Sequence, residues 1–201
     1  MVIEKIRSRQ ARVNIKKLIE GCKKGDEAAR KELYERYSAP MYGLCCRYMR
    51  DRDLARDMLH DGFITLFTHI EDYRGAGSFD GWCRRIFVNT ALSYLRKRNP
   101  LNEADSVDDH FRLEDSSASA IDEISTQELL DCMNELPSGY RTIINLYAID
   151  GYSHREVADI MNITESTSRT QYLRAKSRLI RIMTERGIDN KNYKSRHEAC
   201  D

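Results

Sequence analysis

The chain has 201 residues, 41% of them hydrophobic and 32% charged, enough for one or two domains with buried cores. No apolar run approaches the roughly 18 to 20 residues that span a bilayer, and Met1 to Gln10 mixes Glu4 with Lys5, Arg7 and Arg9 rather than forming a signal peptide. No membrane insertion and a soluble, cytoplasmic protein are therefore expected, and three prolines and ten glycines argue against both a Pro-rich disordered chain and a many-turned β-sandwich.

The net charge of +1 conceals an uneven layout. Met1 to Lys24 holds eight cations against two Glu, and Trp82 to Arg98 holds five cations and no acid. Asn99 to Ile124 reverses the sign with eight acids and one Arg, and Glu165 to Arg196 returns to nine cations against three acids. Basic stretches on either side of an acidic one point to nucleic-acid contact by separate parts of the chain.

In chain order, Asp26 caps a helix through Ala28, Leu33 and Tyr37, and Pro40 opens another through Met41, Leu44, Cys45 and Tyr48. From Asp51 to Ile70, the residues Leu54, Met58, Leu59, Phe63, Leu66, Phe67 and Ile70 recur at steps of three and four, one face of a helix. Gly75 and Gly77 break the chain, and Ser78 or Asp80 caps a helix holding Trp82, Ile86, Phe87, Thr90, Leu92 and Leu95. Asn99-Pro100 stops that helix. The acidic, Ser-containing segment after it cannot bury enough surface to offset its own ordering, so a flexible linker is expected at 99–122. Glu128 to Leu136 reads as helix, Pro137 starts the next, and Gly151 ends it. The fold class expected is all-α: an N-terminal helical bundle over 1–98, a C-terminal helical domain over 123–187, and a disordered tail over 188–201.

The C-terminal domain carries the sharpest motif. Ser153 with Glu156 three positions on forms a capping box, Val157, Ala158, Ile160 and Met161 give an apolar face, Asn162-Ile163 makes a turn, and Thr164 starts a long helix to about Thr184. Helix, short turn and helix in this order lay the second helix in the major groove of DNA. Its exposed reading residues are Ser166, Arg169, Thr170, Leu173 and Arg174, and a bidentate Arg on guanine contributes about 1 to 3 kcal/mol of discrimination. Lys176 and Arg178 are placed for phosphates, which position without specifying. A solvated basic helix face is the plainer reading.

In the N-terminal domain the loop Tyr73 to Phe79 leads into Trp82 to Arg98, where aromatic residues alternate with cations, a composition suited to unstacked bases. Trp82 and Phe87 are read as core first and contact second. Two glycines allow a loop tight enough to clasp a flipped base. The six cysteines form no C-x-x-C and have no His at finger spacing, so no metal, no cofactor and no disulfide framework are expected, only buried thiols.

Four stretches together resemble the group IV, or extracytoplasmic-function (ECF), sigma factors of bacterial RNA polymerase: DLARDMLHDGF at 53–63; YRGAGSFDGW at 73–82, running on through Arg85-Ile86 and Asn89 to Ala91; LPSGYR at 136–141; and YSHREVADIM at 152–161 with its following helix. The resemblance covers Ile19 to Arg98 and Glu123 to Met183. It implies a non-enzymatic subunit that binds core RNA polymerase, directs it to promoter −35 and −10 elements and helps open the DNA. It places core binding on Asp57, Met58, His60 and Asp61, which would dock on the β′ clamp helices. It places −10 recognition and melting on Arg74, Ser78, Phe79, Arg84, Arg85, Asn89 and Arg96. Double-stranded −35 recognition falls to Ser166, Arg169, Thr170, Leu173, Arg174 and Arg178, with the C-terminal domain near the β flap and the acidic linker in the polymerase channels. An anti-sigma partner is implied as well. His60 stands where the family commonly has glutamine, Arg56 and Ser93 where it often has acids, and Ser166 and Ser168 where it often has glycine and valine. Two rivals remain at this point: a stand-alone helix-turn-helix regulator, which leaves the Trp82 to Arg98 cluster idle, and a nucleic-acid enzyme using Asp57 and Asp61 as a carboxylate pair, for which no metal-ligand set is present.

Overall fold

The computed structural model describes residues 15–98 and 126–188, and all regular structure among them is helical. The linker expected at 99–122 and the tail beyond Ile188 lie outside the described residues. The chain clusters into two compact units, Met1–Tyr94 and Leu95–Asp201, that divide within one helix.

The first unit is built from α1 (15–23), α2 (Glu27–Tyr48), α3 (Arg52–Thr68), a 3-10 turn (Ile70–Asp72) and α4 (Phe79–Arg98) as far as Tyr94, the last turn of α4 falling in the second unit. Asp26 caps α2 by accepting from the amides of Ala28 and Ala29, and Asp51 caps α3 through Asp53 and Leu54. These side chains satisfy amides that have no partner within the helix. Sequence punctuation at Pro40 predicted two helices where one forms: α2 runs unbroken through Pro40. A proline inside a helix removes one hydrogen bond, yet Leu33 and Tyr37 before it and Met41, Leu44 and Tyr48 after it all bury on one side. Continuous burial outweighs the local break.

α2 packs along α3, and α4 closes on α3 through Phe87. The ring centroids of Phe63 and Phe87 are 5.2 Å apart, edge to face, and Tyr34 lies 4.5 Å from Phe63. Gly62 makes this approach possible: a Cβ there would sit 2.3 Å from Cε1 of Phe87. Gly21 does the same between α1 and α2, since its Cβ would meet that of Ala29 at 2.6 Å.

The second unit comprises α5 (Thr126–Glu135), α6 (Ser138–Ile143), which widens into a π-helical stretch over Ile144–Ile149, then α7 (His154–Met161) and α8 (Glu165–Glu185). The widened turn is marked by the Asp150 amide donating to the Asn145 carbonyl at 2.8 Å. Simple 3.6-residue counting does not register such an inserted residue. Cys132, Met133, Leu136, Ile144, Ala175 and Ile182 form the core. Ile188 joins them, and its amide bonds the Met183 carbonyl at 2.8 Å. This corrects the expected start of the tail: Gly187, at φ +68°, turns the chain back and lets one more apolar side chain bury.

Candidate polymerase and nucleic-acid interfaces

On α3 the apolar period leaves a polar outer stripe. Asp57, His60 and Asp61 are exposed, and Ile64 beyond them is 64% exposed. Met58 is completely buried with Ala55, Leu59 and Phe63, so it supports this face from behind and is no surface contact. The Tyr94 hydroxyl on α4 donates to Asp61 Oδ2 at 2.6 Å. That bond, followed by burial and the charge of Asp61, pushes the Tyr94 hydroxyl up to about 12. Sequence reading missed Tyr94, because its partner lies 33 positions away and no local pattern joins them.

The loop before α4 takes its shape from Gly75 and Gly77, at φ +78° and +99°, a region open to glycine at little cost. Arg74 is exposed within it. Ser78 caps α4 by accepting from the Gly81 amide at 3.1 Å. Asp80, the other capping candidate, instead accepts from the Tyr37 hydroxyl. Phe79 is buried, and its ring meets Tyr37, Tyr73 and Trp82 at 5.4, 5.2 and 5.5 Å. The expectation that Phe79 contacts DNA is therefore corrected: a ring packed on three sides offers no face to a base. Phe87 is fully buried and Trp82 half-buried. Arg84, Arg85, Asn89 and Arg96 stay on the exposed side of α4, so that face presents cations and an amide rather than rings.

In the second unit both halves of the capping box form. The Glu156 amide bonds Ser153 Oγ at 3.3 Å, and the Ser153 amide bonds Glu156 Oε2 at 2.9 Å. Asn162 adopts a left-handed conformation at φ +55°, which Asn tolerates better than most residues, and Thr164 caps α8 through the Thr167 amide at 3.1 Å. α7 and α8 thus form a tight helix-turn-helix. Ser166, Arg169, Thr170, Leu173, Arg174 and Lys176 are exposed on α8, whereas Arg178 is half-buried. Arg169 pairs with Glu165 one turn back.

Behind this surface lies an unforeseen cluster. The His154 ring stacks on Tyr147 at 3.9 Å, Tyr172 closes one side at 5.8 Å, and His154 Nδ1 lies 3.0 Å from Oγ of the fully buried Ser168. Desolvation first, then the positive charge of Arg169, holds His154 below its ordinary 6.5. The cluster ties the start of α7 to the first turns of α8. Burial pushes the thiols of Cys45 and Cys83 up to about 12, which leaves them unreactive.

A cation-bearing helix beside a glycine loop, followed by a separate helix-turn-helix, agrees with what comparison of the sequence finds. Residues 33–100 match the model for sigma-70 region 2, and residues 126–179 match sigma-70 region 4. The ECF RNA polymerase sigma-E factor of Haemophilus influenzae is 32% identical over 79% of this chain and 89% of its own. The sigma-E factor of Escherichia coli K12 is 32% identical over 87% of this chain and 92% of its own. The chain is an ECF sigma factor of the sigma-70 family. As a sigma factor it is a non-enzymatic polymerase subunit that directs RNA polymerase to promoters, which removes the carboxylate-enzyme reading of Asp57 and Asp61. A stand-alone regulator has no need of region 2, and this sigma factor has one. In fold it resembles the sigma factor RpoE of Bartonella quintana, solved in complex with the anti-sigma factor NepR, at a TM-score of 0.51 and 18% identity over 77% of this chain and 96% of that one. Among the described residues, no helix is long and apolar enough to cross a membrane.

Proposed function

We propose a division of labour between the two units. The outer stripe of α3, with Asp57, His60 and Asp61, docks on basic residues of the polymerase β′ clamp helices. Two carboxylates one turn apart suit cationic partners, and Ile64 adds an apolar contact. The loop with Arg74 and the exposed face of α4, with Arg84, Arg85, Asn89 and Arg96, hold the single strand displaced at −10. Unstacking a base costs a few kcal/mol. Contacts to the displaced strand shift the duplex toward the open state by favouring that state alone. α8 reads the −35 duplex through Ser166, Arg169, Thr170, Leu173 and Arg174 while the unit lies near the β flap. The acidic linker passes through the polymerase channels, and the protein works in the cytoplasm. An anti-sigma partner is part of this reading; the sigma factor of similar fold from Bartonella quintana was solved in complex with one.

The observation that carries the proposal is the sorting of side chains. On α4 Arg84, Arg85, Asn89 and Arg96 reach solvent while Cys83, Phe87, Val88, Ala91 and Leu92 between them are buried, and on α8 Arg169, Arg174 and Lys176 reach solvent together with Leu173 while Ala175 and Ile182 face inward. In vitro transcription by bacterial core polymerase on a promoter library tests it. Start sites governed by fixed −35 and −10 sequences are expected. Selection that depends on the −35 element alone would remove the role given to the loop and α4.

A further inference from the structure

The loop over 73–78 is braced from two sides. Its glycines permit the turn but do not hold it, because a chain with two glycines has many conformations open to it. Tyr73 supplies the first brace: its hydroxyl donates to the Gly77 carbonyl at 2.9 Å, across the loop. The ring cannot swing away freely, since it packs against Phe79 at 5.2 Å and Trp82 at 5.4 Å. Lys23 supplies the second: its ammonium donates to the Tyr73 carbonyl at 2.9 Å, from a position 50 residues earlier. The Lys23 side chain is only 26% exposed, and its nearest acid, Glu20, is 3.9 Å away. Lys23 arrives there because α1 lies close on α2, the approach that Gly21 allows against Ala29.

We propose that Lys23 and Tyr73 are positioning residues for promoter opening, holding the glycine loop in the shape that receives a base leaving the duplex. A loop ordered in advance does not subtract its ordering entropy from the binding of the displaced strand. Neither residue touches the base. Both set where the loop backbone and Arg74 stand when the strand arrives, and α1 thereby becomes part of the melting apparatus. This inference rests on the reading of the loop as the −10 capture element.

The test uses the full chain with core polymerase and the variants Tyr73→Phe, Lys23→Met, Lys23→Arg, Arg74→Ala and Gly77→Ala. Two quantities are read: affinity for core enzyme, and permanganate reactivity of unpaired thymines at −10 on duplex promoter. Tyr73→Phe and Lys23→Met are expected to keep core affinity while lowering −10 opening by about three- to tenfold, the weight of one lost hydrogen bond. Lys23→Arg, which still donates, recovers most of the opening. The inference is overturned if Arg74→Ala and Gly77→Ala impair opening while Tyr73→Phe and Lys23→Met do not. It is overturned equally if the two brace variants lower core affinity as much as opening, which marks plain loss of structure. Normal opening by Arg74→Ala and Gly77→Ala together would remove the loop reading itself, and the braces with it.

Discussion

In the first unit Phe87 is drawn fully into the core and Trp82 and Tyr94 are half-buried, whereas in the second α8 leaves Leu173 42% exposed among its cations. The same composition, aromatic or apolar residues mixed with Arg and Lys, therefore yields two different surfaces. α4 presents charge and an amide around a shaped loop, a surface that follows a strand by its backbone. α8 presents charge together with an apolar side chain, a surface able to contact base edges and thymine methyls. The means of assembly differ too. Both units cap their helices, but the first adds close helix approach at Gly62 and Gly21, and the second a capping box at Ser153 and a left-handed turn at Asn162 that set α7 against α8.

The difference can be broken from either side. The largest effect is expected from Asp61→Lys, which sets a cation against the cations proposed on the polymerase and also removes the acceptor of Tyr94. Like charges in contact cost several kcal/mol, so pull-down of core enzyme should fail while binding to −35 duplex DNA persists. Next comes Gly62→Ala. The new methyl meets a fully buried ring, and such overpacking costs about 1 to 3 kcal/mol. Urea denaturation should show a lowered midpoint, and adding Phe87→Leu should recover part of it. Arg174→Ala is the mirror of Asp61→Lys: −35 discrimination falls by about 1 to 3 kcal/mol in binding assays on matched and mutated sites, and core binding is kept.

Ser153→Ala removes one half of the capping box, a loss of about 0.5 to 2 kcal/mol. Denaturation of the second unit should shift while −10 opening on a promoter lacking a −35 element does not. The smallest effect concerns pH. His154 is held below 6.5 in the folded chain, so the unfolded chain binds more protons as the pH falls through 6.5. Stability from this group is present above that value and is lost below it. Denaturation midpoints between about pH 8 and about pH 5 should decline, and less so in His154→Gln.

Much of the fold was legible because its signals are local. The apolar period of α3, the capping box at Ser153 and Glu156, and the turn at Asn162 each lie within a few residues, and each formed. The misreadings have two sources. Pro40 looked like a helix start and Phe79 like a contact, and packing overruled both, while Met58, given a docking role only by the resemblance, is buried as its place on the apolar period of α3 implied. Tyr94 on Asp61, Ser168 on His154 and Lys23 on Tyr73 could not be foreseen, since each pair spans a turn, a helix or half a domain.

Sequence by itself determined the helical class, the two basic segments with the acidic stretch between them, and the family. Periodicity, capping and charge are properties of neighbouring residues and need no third dimension. Tertiary structure alone decided which cations and rings reach solvent and how the glycine loop is held. Burial depends on what packs against a residue, and that partner is brought there by the fold from far along the chain.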